Sequence, residues 1–196
     1  METAVIILAA GNSSRLGSPK QLLHYQGKTL LEIISFEALK TDCKPIIVVL
    51  GAYAKEIMLK HNHSDIMYIV NKSWEKGMSS SIAKGLSALL NLQKEIENVI
   101  IAVSDQVFIK GEIFENLVEK QISSKKGIIS STYAKTTGTP TLFNKKYFEQ
   151  LLSLSGTKGA RKIVSENMND TATIPFEMGY VDIDTMNDYN NLIKHK

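Results

Sequence analysis

Apolar positions along the chain fall into short unbroken runs separated by amphipathic stretches. "AVIILAA" is followed by "TLLEIISFEALK", "PIIVVLG" by "AKEIMLKH", "MYIVN" by "SSSIAKGLSALLNL", and "NVIIAVSD" by "GEIFENLVEKQI". The runs "PIIVVLG" and "NVIIAVSD" are rich in Val and Ile and almost uninterrupted, the pattern of strands covered on both faces. The stretches between them repeat apolar residues at three and four, as in Leu30, Leu31, Ile34 and Leu39, which predicts helices with one buried face. Strands alternating with helices of this length imply βαβ units and a mainly parallel sheet. After Gly127 the regularity loosens. "GIISSTYAKTTGTPTLFN" predicts two strands, antiparallel, around a Thr/Gly turn. Helical pieces are expected over 145–154 and 159–167, strands at "TATIPF" and "GYVDID", and a closing helix at "TMNDYNNLIKH". No repeat, low-complexity tract or linker divides the chain. The expectation is one domain over 1–196, a three-layer α/β/α fold on a mainly parallel mixed sheet.

Composition narrows the class without choosing a function. With 43% hydrophobic and 22% charged residues in 196, the chain can bury a sizeable core, and disordered or fibrous classes drop out. A net charge of +3 is too mild to argue for nucleic acid or an anionic membrane, and it suits a local cationic pocket for a phosphorylated ligand. No apolar run approaches the ~20 residues of a membrane span, and no basic leader with a cleavage site opens the chain. The single cysteine, Cys43, rules out an internal disulfide or a Cys-based zinc cluster and points to a reducing, cytoplasmic setting. Its place at the end of a helical pattern suits a plain buried or half-buried thiol.

In a sheet of this kind ligands sit beyond the carboxyl ends of the strands, and four segments end there with suggestive chemistry. The first is "AVIILAAGNSSRLGSPKQLL". Its glycines allow a tight turn and close backbone approach to a ligand, leaving N–H groups to cradle phosphate oxygens. Arg15 and Lys20 add full positive charge, one as a planar fork and one as a movable point charge. The spacing is neither a Walker loop nor a GxGxxG fingerprint, because Lys20 does not follow Gly17 and position 13 is serine. An ordinary βα loop with a solvated Arg and Lys is the competing reading. In "AVSDQVF", Asp105 directly follows a buried strand, where a carboxylate needs a strong partner. Magnesium bridging to substrate phosphates would be one, and a turn or cap the alternative. In "GYVDIDTMND", Asp182 and Asp184 share one face of the expected strand, and Asp184 or Thr185 could instead cap the last helix. In "NKSWEKGMSSSIAKGL", Gly77 and the serines that follow open a helix at its positive end.

Together these segments resemble the MobA-like nucleotidyltransferases, and within them the molybdenum cofactor cytidylyltransferase branch. "LAAGNSSRLGSPKQLL" is similar to LAAGxSxRMGxxKxLL, and "NKSWEKGMSSSIAKGL" to NxxWxxGMxSSIxxGL. "SDQVF" resembles the DQP segment, "GTPTLF" GxPxxF, "SGTKGARKIV" GDxGAR, and "VDIDT" the terminal DIDT. The resemblance implies attack of an acceptor phosphate on the α-phosphorus of a Mg²⁺-bound nucleoside triphosphate, with release of pyrophosphate. It implies that Gly11, Asn12, Ser13, Ser14 and Arg15 hold the triphosphate and that Lys20 neutralises charge at the α-phosphate. Asp105 and Asp184 would hold Mg²⁺, with Asp182 beside them in support. Ala9, Ala10, Gly77, Met78, Ser79 and Ser80 would lie near base or ribose. Arg15, Lys20 and Asp105 are then the catalytic set, which fits a transfer that depends on positioning and charge.

The Ala9–Ala10 pair resembles the cytidylyl branch, where guanylyl enzymes carry Ala-Gly, so CTP is expected ahead of GTP. The acceptor implied is molybdenum cofactor, read by the stiff turn at Pro140 and by the basic loop of Lys158, Arg161 and Lys162; pairing of Arg161 with a nearby carboxylate as a structural residue is the competing reading. Contact with a molybdoenzyme or its chaperone would follow from that role. His24, His61, His63 and His195 receive no role, and His61 and His63 are expected in a polar surface turn. Three departures stand out: Val107 for the proline of DQP, Thr157 for the aspartate of GDxGAR, and His24 where many members have proline. Val107 should alter only the turn after Asp105, whereas Thr157 removes a carboxylate on the acceptor side. Two other readings stay open: transfer to another phosphorylated acceptor such as a sugar or alditol phosphate, and a non-catalytic nucleotide- or cofactor-binding accessory protein.

Overall fold

A computed structural model describes residues 2–156 and 159–194. In chain order the elements are β1 (Thr3–Ala9), β2 (His24–Tyr25), β3 (Lys28–Thr29), α1 (Leu30–Leu39), β4 (Ile46–Leu50), α2 (Ala54–Lys60), β5 (Ile66–Val70) and α3 (Met78–Leu92). They continue with β6 (Asn98–Val103), α4 (Gly111–Ser124), β7 (Ile128–Tyr133), β8 (Thr136–Asn144), α5 (Phe148–Leu152), α6 (Arg161–Glu166), β9 (Thr171–Pro175) and α7 (Met186–Lys194). Seven strands form one sheet in the order β5-β4-β1-β6-β8-β7-β9. β5, β4, β1 and β6 run parallel, β8 is antiparallel to both its neighbours, and β9 is parallel to β7. The result is the expected three-layer α/β/α arrangement with a mostly parallel mixed sheet.

The unbroken apolar runs follow from burial on both faces. In β1, Val5, Ile7 and Ala9 point into the layer that α1 and α4 close with Leu31, Ile34, Phe114 and Leu117. Ala4, Ile6 and Leu8 point the other way, against Ile82, Leu86 and Leu89 of α3. α3 lies flush on the sheet because Gly85 has no side chain: a Cβ there would come within 2.7 Å of Ile6 Cγ2 and 2.9 Å of Val49 Cγ2. α1 starts where Thr29 accepts from the Glu32 amide while Glu32 accepts from the Thr29 amide, a reciprocal cap. Among the described residues no helix is long and apolar enough to cross a membrane.

The second half departs from expectation in two places. The β7–β8 hairpin turns at Ala134 and Lys135, both with positive φ (46° and 61°), and not at the Thr/Gly pair. Gly138 lies within β8, beside a register shift at Ser130 and Ser131, because the ring of Tyr133 occupies the space where a Cβ would sit. The segment "GYVDID" forms no strand. After β9 the chain makes a 3-10 turn, Glu177–Tyr180, and then forms an isolated antiparallel bridge between Asp182 and Gln106. The alternation that suggests a strand is real, with Ile183 fully buried and both aspartates on the open side, but among the described residues its ladder stops at the single Gln106 bridge. The expected helix over 145–154 is a 3-10 turn, Lys145–Tyr147, leading into α5, and that over 159–167 is the shorter α6. His61 is also not a surface residue: it is buried, with Nε2 3.3 Å from Thr29 Oγ1, and burial pushes its pKa down. Cys43 is buried and unpaired.

Candidate active site

The loop leaving β1 is exposed at Gly11, Asn12, Ser14 and Arg15, and it is held from below. Gln21, 1% exposed, donates from Nε2 to the carbonyls of Ala9 (2.8 Å) and Gly11 (3.3 Å). Ser13, at φ 49°, accepts on its carbonyl from the amides of Leu16 (2.8 Å) and Gly17 (3.2 Å), and its hydroxyl oxygen accepts from the Lys20 amide at 3.0 Å. Gly17, at φ 70°, completes the turn where an L side chain would be strained. The loop therefore delivers Lys20 from a fixed backbone.

Lys20 reaches the carboxyl end of β6. Its Nζ lies 2.5 Å from Asp105 Oδ2 and 2.8 Å from Asp184 Oδ1, and Arg15 Nη2 lies 2.7 Å from Asp184 Oδ2. Residues 20, 105 and 184 thus meet at one point. Three local devices bring them there. Asp105 follows the β1–β6 ladder, which ends with the Ser104 amide donating to Leu8 O. Val107 and Ile183 are buried together with Leu30 and Leu192, which pins the loop after β6 to the segment before α7. Thr185 and Asp188 cap α7 reciprocally, so Thr185 is the cap and Asp184 is left to face the cations.

The electrostatics of the cluster are one-sided. Burial works against the Lys20 ammonium, yet Asp105 and Asp184 outweigh it and raise its pKa. The hydrogen bond from Lys20 holds the Asp184 carboxyl below its ordinary range, against partial burial. Asp182 moves the other way: burial, then the charges of Asp105 and Asp184, push its pKa up. Asp105 Oδ1 is buried with no hydrogen-bond partner. Among the described residues no group of three or more His, Cys, Asp or Glu is arranged as a complete metal site. The surplus of carboxylate oxygen, including the orphaned one, nevertheless fits a divalent cation that takes one or two carboxylates and completes its shell elsewhere.

Beside this cluster opens a cleft of about 610 Å³, with Lys20, Asp105, Asp182 and Asp184 at one end and Arg161 in its wall. Its floor is apolar, with Ile82, Ile101, Phe143 and Val164. Arg161 donates from Nη2 to Thr136 Oγ1 at 2.5 Å and remains exposed. Pro140 is buried in β8 and receives the Ser131 hydroxyl on its carbonyl at 2.8 Å, while its neighbours Thr139 and Thr141 face the cleft. Thr157 and Lys158 lie outside the described residues, as does His195.

At the start of α3, Met78 reaches the cleft and is 45% exposed, while Gly77 takes φ 91°. The serines are largely structural. Asn71 Nδ2 donates to Ser80 Oγ (2.8 Å) and Ser81 Oγ (3.0 Å), and Ser80 Oγ donates to the Gly77 carbonyl. Ser79 Oγ is buried without a partner. Ala10 lies against Gly51, where a Cβ would come within 2.9 Å of the Ala10 methyl.

Three functional residues escaped the sequence reading. Gln21 and Asn71 are neutral residues inside recognised segments, and only their buried amides reveal the role. Gln106 is 3% exposed and donates from Nε2 to the carbonyls of Thr139 (3.0 Å) and Gly179 (2.9 Å), tying the loop after β6 to β8 and to the turn before Asp182. The glutamine of "SDQVF" carries no sequence signal of what it holds.

Comparison with known proteins identifies the family. The model of the MobA-like NTP transferase domain matches residues 5–171. Nicotine blue oxidoreductase of Paenarthrobacter nicotinovorans is 32% identical over 136 residues, covering 69% of this chain and 63% of that protein's length. The molybdenum cofactor cytidylyltransferase of Escherichia coli is 26% identical over 187 residues, covering 94% of this chain and 92% of that one. The crystal structure of Rv0371c from Mycobacterium tuberculosis superposes with a TM-score of 0.86 at 26% identity, covering 98% and 97% of the two chains. With the family model spanning most of its length and the charged cluster where the sheet's carboxyl ends meet, the chain belongs to the MobA-like NTP transferase domain family.

Proposed function

We propose that this chain is a single nucleotidyltransferase domain over 1–196 that transfers CMP from CTP to the phosphate of molybdenum cofactor. The observation that carries the reading is the meeting of Lys20, Asp105 and Asp184 at the mouth of a cleft large enough for a second substrate. In the reaction an oxygen of the acceptor phosphate forms a bond to the α-phosphorus, the α–β bridging bond breaks, and its electron pair leaves with pyrophosphate. The attacking group is already an anion, so no side chain need take its proton. Gly11, Asn12, Ser13, Ser14 and Arg15 hold the triphosphate, and Lys20 places its charge at the α-phosphate, where charge accumulates in the transition state. Asp105 and Asp184 would hold Mg²⁺, which supplies charge neutralisation at the transferring group when bound.

The base side is assigned to Ala9, Ala10, Gly77 and Met78, with Ser79 and Ser80 at the start of α3 beside them, and the preference for CTP over GTP rests on the Ala9–Ala10 pair. Arg161 reads the acceptor from the cleft wall, and Pro140 shapes that wall from behind. The unpaired buried thiol of Cys43 supports a cytoplasmic setting. The test is pyrophosphate release with each of the four common nucleoside triphosphates against a panel of phosphorylated acceptors that includes molybdenum cofactor. CTP with molybdenum cofactor should be the best pair. Better turnover with GTP refutes the nucleotide, turnover with a sugar or alditol phosphate alone refutes the acceptor, and no release with any pair favours a binding protein.

A further inference from the structure

The two cations expected to hold a triphosphate are here paired with the two carboxylates expected to hold a metal. Lys20 Nζ bridges Asp105 Oδ2 and Asp184 Oδ1, and Arg15 covers the second oxygen of Asp184. A divalent cation arriving alone must displace an ammonium from both carboxylates. A triphosphate arriving alone must draw both cations away from aspartates that would be left uncompensated beside Asp182. We propose that Lys20 and Arg15 are exchangeable counter-ions: they cover Asp105 and Asp184 until metal and polyphosphate arrive together, and then move to the phosphate oxygens as the metal takes the carboxylates. Metal and triphosphate therefore bind weakly apart and strongly together, and the coupling is reciprocal. This rests on the reading of Asp105 and Asp184 as the metal-holding pair.

The local structure suits such an exchange. The Lys20 backbone is fixed, with its amide on Ser13 Oγ at 3.0 Å and its carbonyl accepting from the Leu23 amide at 3.1 Å. Only the four-carbon stem has to swing, which is the kind of motion a lysine makes readily. The Arg15 side chain is 66% exposed on an open loop, so nothing packs it in place. The orphaned Asp105 Oδ1 marks acceptor capacity that a single ammonium leaves unused.

The experiment measures binding alone. Mn²⁺ without nucleotide is titrated against the wild type, Lys20→Gln, Lys20→Arg and Asp105→Asn, and inorganic triphosphate in EDTA against the wild type and Asp184→Asn. Lys20→Gln should bind Mn²⁺ at least about fivefold more tightly, a lower bound set by the interaction of two unit charges at about 4 Å in bulk water. Lys20→Arg keeps the charge and should stay near wild type. Asp184→Asn frees Arg15 and loosens Lys20, and should bind metal-free triphosphate more tightly. Equal or weaker Mn²⁺ binding by Lys20→Gln, or no gain by Asp184→Asn, overturns the exchange. Mn²⁺ binding that Asp105→Asn leaves unchanged overturns the metal pair itself, and that outcome is separate from the first. Neither arm depends on which nucleotide or acceptor the enzyme uses.

Discussion

Replacing Gln106 by leucine should loosen the site from a position that carries no charge. The amide Nε2 donates to the carbonyls of Thr139 and Gly179, and both bonds are lost. At about 0.5–1.5 kcal/mol net for each bond, the loss is ~1–3 kcal/mol. Part of this is offset, because Gln106 Oε1 is itself buried without a partner and its removal relieves a desolvated group. The expected destabilisation is therefore ~1–2 kcal/mol, a fall in Tm of about 2–8 °C for a chain of this size. The same amide sets the turn bearing Asp182 and Asp184 against the loop bearing Asp105, so turnover should drop as well, by up to ~10²-fold if the carboxylates shift by about 1 Å. Thermal unfolding followed by circular dichroism, paired with pyrophosphate release well below both midpoints, measures the two effects. An unchanged Tm would refute the tie between the segments. A lowered Tm with normal turnover would refute its role in setting the site.

Asp105→Ala and Asp184→Ala should each lower turnover by at least ~10²-fold with the fold intact, the scale for a principal electrostatic stabiliser, and Asp182→Ala should cost less; steady-state pyrophosphate release ranks them, and a near-normal Asp105→Ala sinks the assignment. Asp182 also predicts a pH effect. Its folded pKa is raised, by burial and then by Asp105 and Asp184, so its contribution to stability is present below the unfolded carboxyl range and is lost as pH rises through the folded pKa. Asp182→Asn should therefore gain Tm over wild type at neutral pH and little in acid, and an equal or larger gain in acid would reverse that sign. Arg161→Ala should raise the KM for molybdenum cofactor and leave that for CTP nearly unchanged; a rise for CTP moves Arg161 to the nucleotide side.

How much of this was legible in the sequence depended on what each segment contacts. β1, β4 and β6 announce themselves because both faces are buried, and α3 because only one is. The hairpin turn was misplaced because Ala134 and Lys135 carry no turn signal, while Gly138, which does, makes room for Tyr133. "GYVDID" read as a strand because its alternation of buried Ile183 with open aspartates is what a strand shows, and only the ladder's stop at a single bridge tells otherwise. The charged residues of the site were in plain view, since buried or strand-end charges are rare enough to notice. Their pairing was not: a sequence gives Lys20 a ligand to hold, and the structure gives it Asp105 and Asp184. The neutral amides of Gln21, Asn71 and Gln106 were silent for the opposite reason, because nothing about a glutamine or asparagine signals what backbone it will hold.

The distance along the chain between the partners of that cluster has a consequence for how the protein comes into being. Lys20 and Asp184 are separated by 164 residues, and the chain between them includes β8, which lies between β6 and β7 in the sheet. Contacts of such separation form late, after the chain has met the entropic cost of closing a long loop. During synthesis from the N-terminus the parallel half of the sheet can assemble on the ribosome while the carboxylate from the last segment is still missing. A chain folded only that far would expose the loop after β1 and Lys20 without the counter-charge of Asp184.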